Sequence, residues 1–187
     1  MMRGHFDFLA PIYDIVIPPA DPTRLRELLR LPTRGRVLEA GGGTGRVSSR
    51  LLPLVGTLVI NDLSRPMLQQ AQAKGALLPV QSYVERLPFP DASFDRVFAV
   101  DALHHFDDHH AAVGELLRVL MPGGRLVIEE PDIRRFPVKV IALFEKLALM
   151  RSHFLTEEQI RAPVASHGLQ ARAGCLSDFA TCVVVDK

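Results

Sequence analysis

Residues 37–45 read VLEAGGGTG: two β-favouring aliphatics, one carboxylate, then glycine at Gly41, Gly42, Gly43 and Gly45. Such a run lets the chain turn sharply and removes the Cβ atoms that would hold a ligand off the backbone. Where the loop runs from a strand into a helix, unpaired N–H groups also become available to an anion. Spacing separates the candidate ligands. A phosphate-binding G-x-x-x-x-G-K-[ST] loop fails, because Arg46, Val47 and Ser48 stand where its last three residues belong. The dinucleotide pattern G-x-G-x-x-G fits Gly41 and Gly43 and then meets Arg46 in place of the third glycine. The pattern present is E-x-G-x-G-x-G. Glu39 at the mouth of such a loop repels a pyrophosphate and attracts an ammonium group. A ligand carrying a cation beside its carboxylate is therefore expected.

A second acid, Asp62, ends the next strand-like run in VINDLS, about 20 residues beyond the loop, where a carboxylate accepts both hydroxyls of an adenosine ribose. A ribose and an amino acid on one ligand point to S-adenosylmethionine. Four histidines, His104, His105, His109 and His110, come as two adjacent pairs; only His105 and His109 have helical ligand spacing, so no metal is expected. Cys175 and Cys182 are too few for a disulfide framework and read as reduced packing residues.

The elements that must position these groups follow from periodicity. Strand-like runs at 36–40, 57–61, 79–84, 95–100 and 124–130 alternate with helical patterns at 45–52, 64–74 and 109–120. The strands are aliphatic at nearly every position, as when helices cover both sheet faces. Ser64 stands at an N-cap position with Pro66 in the first turn, and Asp107 or Asp108 caps the third helix. Upstream, Asp21 and Pro22 open a helix through LRELLR. Downstream, a helix is expected through 136–150, Thr156 and Gln159 form a capping box for another ending at Gly168, and LQARAGCLSD and FATCVVVDK close the chain as an antiparallel pair.

With 187 residues, 48% of them hydrophobic, the chain suits one core, so a single domain spanning 1–187 is expected, with a helical cap segment at 1–31 and a helical insertion at 133–168. Twenty-two basic against 21 acidic side chains, with no block of either sign, give no footprint for nucleic acid. No export signal or membrane-spanning run is evident, and a cytoplasmic location is expected.

In order and spacing, FDFLAPIYD, VLEAGGGTG, INDLSRPMLQQAQAK, LPFPDASFDRVFAVDALHHFDD and ELLRVLMPGGRLVIEEPD resemble the class I S-adenosylmethionine-dependent methyltransferases, within them the ubiquinone/menaquinone C-methyltransferase-like (methyltransferase type 11) group, over roughly residues 6 to 132. The resemblance implies a Rossmann-like α/β fold with a seven-stranded, mostly parallel sheet, an antiparallel last strand and helices on both faces. It implies S-adenosyl-L-methionine as cofactor, with Glu39 near the methionine ammonium, Gly41 and Gly43 giving room to the amino-acid end, and Asp62 on the ribose. Leu63 and Met67 would pack on the adenine, and Tyr13 and Val100 would border the cofactor. Where the family has an acid or amide, alanine and glutamate, this chain has Tyr83, Val84 and Glu85. Tyr83 is longer and mainly apolar, which leaves the Val84 backbone and the Glu85 side chain for the adenine edge.

Methyl transfer from a sulfonium disperses charge and needs no nucleophilic side chain, so alignment and exclusion of water suffice unless the acceptor must lose a proton. No catalytic residue is therefore singled out, and His104 or His105 is the candidate base. The acceptor is expected to be small and apolar or aromatic, walled by Phe6, Phe8, Ile12 and Tyr13 from one side and Phe136, Val140, Leu143, Phe144 and Leu147 from the other. Packing on the core or a homodimer contact is the competing use of those residues. An S-adenosylmethionine-binding module without turnover is the competing function, and a nicotinamide oxidoreductase a more distant one.

Overall fold

Alternation along the strands sorts the apolar side chains into two cores. The computed structural model describes residues 4–17, 22–136, 138–140, 142, 152–175 and 180–187. Its seven strands are β1 (Arg36–Ala40), β2 (Thr57–Asp62), β3 (Leu78–Gln81), β4 (Phe94–Val100), β5 (Leu120–Pro131), β6 (Ala171–Cys175) and β7 (Ala180–Asp186), in the order β3-β2-β1-β4-β5-β7-β6. β7 runs antiparallel to both neighbours, and the other pairings are parallel. The sheet is the one that the family resemblance implies.

On one face, Leu38, Val97, Leu126, Ile128, Val183 and Val185 pack against α6 (His109–Val119) and α7 (Glu157–Ser166). On the other, Val37, Phe98, Val127 and Val184 meet α3 (Thr23–Leu28), α4 (Ser48–Leu51) and α5 (Arg65–Gln72). Strand side chains alternate by two, so each strand feeds both cores. Phe94 and Phe98 are fully buried; truncating such a side chain to alanine costs about 3–5 kcal/mol. Two further helices, α1 (Gly4–Leu9) and α2 (Tyr13–Val16), form the N-terminal segment.

The capping signals hold. Ser64 Oγ accepts from Met67 N–H, Asp108 from Ala111 N–H, and Thr156 and Gln159 form the reciprocal box. β3 stops at Gln81, and Val84–Arg86 form a 3-10 turn, shorter than the 79–84 expected. β3 pairs with β2, and that pairing ends at Asp62↔Gln81, where β2 itself runs out. The helix expected over 45–52 begins at Ser48 and gives way to a 3-10 turn at Leu52–Leu54, because Gly45 has φ +70 and Pro53 interrupts the far end. Arg125 ties α3 to the sheet, donating to both Asp186 oxygens at 2.6 and 2.9 Å and to Leu28 O at 2.9 Å. Residues 136, 138–140 and 142 are helical; Leu143, Phe144 and Leu147 lie outside the described residues. Among the described residues no helix is long and apolar enough to cross a membrane.

Candidate active site

The carboxyl ends of β1, β2 and β4 meet at one crevice, the place where open parallel sheets hold ligands. β1 passes at Ala40 into a loop whose Gly41, Gly43 and Gly45 all have positive φ (67°, 56° and 70°), a region that side chains resist. Gly42 N–H donates to Asn61 O at 3.0 Å and Gly43 N–H to Asp62 Oδ2 at 2.8 Å, so β2 fixes the loop. The two expected glycines differ in what they face. A Cβ on Gly41 would lie 2.7 Å from Ala102 Cβ, whereas one on Gly43 would meet nothing nearer than Asp62 Oδ2 at 4.0 Å. Gly41 is thus required by the protein's own loops, and the open side of the loop is at Gly43.

Asp62 uses both oxygens, the second accepting Ser64 N–H at 2.7 Å. Burial pushes its pKa up, and the N–H groups of Ser64, Gly43 and Leu63 pull it back. Its neighbour Leu63 is exposed and Met67 is buried. Tyr83 is 40% exposed, Val84 and Val100 belong to the two cores, and Glu85 Oε1 accepts the N–H groups of Asp107 and Asp108 at 2.9 and 3.3 Å. Glu85 therefore braces the start of α6, and the Val84 side chain faces inward.

Glu39, expected at the mouth of the loop, sits behind it. It is 2% exposed, it accepts a hydrogen bond from Ser48 Oγ, and a Cβ on Gly42 would come within 2.8 Å of its Oε2. Parity explains the placement: Val37 and Glu39 point to the same sheet face, the one covered by α4. Burial raises its carboxyl to about 7. The group that does stand at the crevice is an ion pair that sequence reasoning missed, Arg46 Nη2 to Asp101 Oδ2 at 2.6 Å. In the sequence Arg46 stands out only as the residue that breaks two nucleotide patterns, and no local signal marks Asp101, whose φ is +51.

The N-terminal segment covers this crevice and is latched to it. Asp7 Oδ1 accepts from Ser64 Oγ at 2.5 Å, and Asp14 accepts from Thr44 Oγ1 at 2.5 Å and from Lys74 Nζ. Tyr13 lies among Arg46, Asp101 and Asp62; burial raises its hydroxyl pKa, against the pull of the Arg46 guanidinium. Phe6 turns inward, its ring edge-on to His105 at 4.9 Å, while Phe8 (82% exposed) and Ile12 (45%) face outward, as does Phe136 (78%) from the other expected wall.

Beyond β4 lies a second network. Glu130, fully buried, accepts Ala102 N–H at 2.9 Å and Leu103 N–H at 2.7 Å on one oxygen and faces His104 Nδ1 at 2.6 Å with the other. The His104 ring stacks on Phe154 at 4.6 Å, and its carbonyl accepts His153 N–H at 2.7 Å. His105 Nδ1 lies 3.2 Å from Ser152 Oγ, and burial depresses its pKa to about 3, so the ring is neutral at physiological pH. Among the described residues, no three His, Cys, Asp or Glu side chains converge as metal ligands do. A groove of about 510 Å³ lined by Thr23, Arg24, Glu27, Leu28 and Arg125 lies elsewhere: Arg125 is level with Arg96 and Val37, toward the amino ends of the strands.

The donor set fits S-adenosylmethionine, whose sulfonium and ammonium outweigh its carboxylate. The Arg46 guanidinium faces Asp101 and Glu129, and burial raises Glu129 to about 7, as it does Glu39 behind the loop. Such a crevice gains from a cation. Asp62 and the open side of Gly43 suit the nucleoside and its tail, and Leu63 offers an apolar face.

The family described as Methyltransferase domain matches residues 38–128, the stretch that carries the loop, Asp62 and the β4 turn. The chain carries a methyltransferase domain. It is similar to the ubiquinone/menaquinone biosynthesis C-methyltransferase UbiE of Pseudomonas putida, with 38% identity over 114 residues, 56% of this chain and 44% of that protein. The chain thus spans less than half the length of that relative. A chain of the complex between the Haloferax volcanii Trm112 methyltransferase activator and the putative methyltransferase superposes with a TM-score of 0.83 at 19% identity, covering 100% of this chain and 99% of its own. A SAM-dependent methyltransferase of Thermotoga maritima gives 0.81 at 20% identity, covering 97% of each. At those identities the likeness is one of fold. The methyltransferase domain has S-adenosylmethionine as the methyl donor of its family.

Proposed function

We propose that the chain transfers a methyl group from S-adenosylmethionine to a small aromatic acceptor, of the reduced quinone type at a ring carbon. The observation that carries this reading is the convergence of the glycine loop and Asp62 on one crevice, covered by an N-terminal segment that turns Phe6 and Tyr13 inward. The name of the Pseudomonas putida relative supports the acceptor class.

When bound, S-adenosylmethionine supplies an electrophilic methyl group on a sulfonium. Asp62 accepts the ribose hydroxyls, the loop at Gly43 receives the tail, and Leu63 packs on the adenine with Tyr83 beside it. The segment carrying Phe6 and Tyr13 excludes water, which strengthens every polar contact beneath it. A neutral His105 imidazole, set between Phe6 and Ser152, stands on the acceptor side, where a ring hydroxyl needs a hydrogen-bond partner. Glu130 and His104 act through the backbone of residues 102–104, which they hold.

Calorimetric titration with S-adenosylhomocysteine tests the cofactor half. Asp62→Ala removes charge-assisted hydrogen bonds worth roughly 1.5 to 3 kcal/mol each, so affinity should fall about tenfold or more; unchanged affinity would reduce Asp62 to a brace for Gly43 and Ser64. Transfer of labelled methyl to 1,4-naphthoquinol tests the acceptor half. Tight cofactor binding with no transfer to any apolar phenol or quinol would favour the non-catalytic alternative, for which Tyr83 in place of an acid or amide is the supporting feature.

A further inference from the structure

If the cofactor reading holds, its amino-acid end needs a carboxylate for the ammonium, and the motif acid is poorly placed to provide one. Glu39 is 2% exposed, engaged by Ser48 Oγ and packed against Gly42. Asp101 is placed well. It follows β4 directly, its side chain is 40% exposed, and the next residue, Ala102, is the one a Cβ on Gly41 would strike. Its backbone is held at φ +51 by an N–H donated to Glu129 O at 3.0 Å. Left-handed residues other than glycine collect at sites where a side chain must be aimed.

We propose that Asp101 and Arg46 together read the amino-acid end of the cofactor, Asp101 taking the α-ammonium and Arg46 the α-carboxylate. The pair is a fixed zwitterion facing a mobile one. Arg46 spends Nη2 on Asp101 at 2.6 Å, and a guanidinium has five N–H donors in a rigid fork suited to a carboxylate. Tyr13, latched above through α2, lies against the same guanidinium and closes the site from outside. Charge points the same way: the Asp101 carboxyl, raised by burial, held down by Arg46 and repelled by Glu130, gains from an added ammonium. Glu39 is then a brace between β1 and α4.

This inference rests on the cofactor reading, and two ligands separate the two. S-adenosylhomocysteine carries the amino-acid end; 5′-methylthioadenosine has the same adenosine and sulfur without it. Asparagine and glycine both tolerate a left-handed backbone, so Asp101→Asn and Asp101→Gly should fold. In calorimetric titrations, both variants and Arg46→Gln should bind S-adenosylhomocysteine about tenfold more weakly and 5′-methylthioadenosine within about twofold of the parent, as loss of a charge-assisted hydrogen bond requires. Glu39→Gln should leave the ratio of the two affinities within about threefold. Equal loss of both ligands in the Asp101 and Arg46 variants would show that the pair merely ties two loops together and would overturn the assignment. So would unchanged affinity for S-adenosylhomocysteine, or a selective loss found in Glu39→Gln alone. A parent protein that binds both ligands equally removes this assignment only; one that binds neither removes the cofactor reading with it.

Discussion

The two halves of the crevice are built by different means. On the β1–β2 side, three left-handed glycines and two backbone N–H groups bonded to Asp62 define the surface, and those bonds join β2 to the loops beside it. On the β4–β5 side, the turn at 102–105 is held by Glu130 from the end of β5, by Ser152, His153 and Phe154 from the segment before α7, and by Phe6 from α1. Backbone-defined surfaces tolerate little variation in residue type. Side-chain networks gathered from distant segments can change partners together, which suits a common cofactor on one side and a variable acceptor on the other.

Deleting residues 1–14 is the harshest way to break the comparison. Phe6, Tyr13 and the Asp7 and Asp14 latches go together, so methyl transfer should be lost while S-adenosylhomocysteine binding, still served by the loop and Asp62, falls only modestly. Full transfer by the truncated protein would show that the cover has no part in the reaction.

Glu130→Ala removes a fully buried carboxylate from two N–H groups and His104, and each buried donor left without a partner costs about 1–3 kcal/mol. Denaturant unfolding should show a loss of that size. A loss below about 1 kcal/mol would mean that the β4–β5 side does not depend on this network.

The glycines sharpen the contrast within one loop. Gly41→Ala sets a Cβ 2.7 Å from Ala102 at φ +67 and should lower stability by about 2 kcal/mol. Gly43→Ala strains only its own φ, about 1 kcal/mol, and places its methyl on the open side. Its S-adenosylhomocysteine affinity should therefore fall more than its stability does, and the reverse order would mean that the ligand lies elsewhere.

The pH response follows from Glu39. Its carboxyl is raised to about 7 in the folded chain from an ordinary 4.5, so between those values the native state holds a proton that the unfolded state has released. Stability from this group is complete below pH 4.5, declines as the pH rises to about 7, and is flat above. Glu39→Gln, which can still accept from Ser48, should remove that decline. Thermal melts at pH 5 and pH 8 should differ less in the variant than in the parent, by on the order of 2–3 kcal/mol in stability. Parallel curves would place Glu39 in a wetter environment than its burial indicates. The smallest effect belongs to Tyr83→Phe, which should bind S-adenosylhomocysteine within about twofold of the parent; a tenfold loss would give the hydroxyl the adenine-recognition role of the missing acid.

The sequence by itself determined the alternation of strands and helices, three caps, the closing antiparallel pair, and the adjacency of the glycine loop and Asp62. These depend on period, on glycine and proline, and on residues close enough in the chain to constrain one another. The place of Glu39 was already implicit in strand parity, since it shares the face of Val37, yet the glycine pattern drew it to the mouth. Only the tertiary structure decided that Arg46 meets Asp101 across 55 residues, that Glu130 rather than a loop residue holds the β4 turn, and that Phe6 turns in while Phe8 turns out. The reason is physical: an ion pair or a buried carboxylate acquires its role from partners that the fold delivers, and nothing in the local sequence distinguishes such a group from a solvated one.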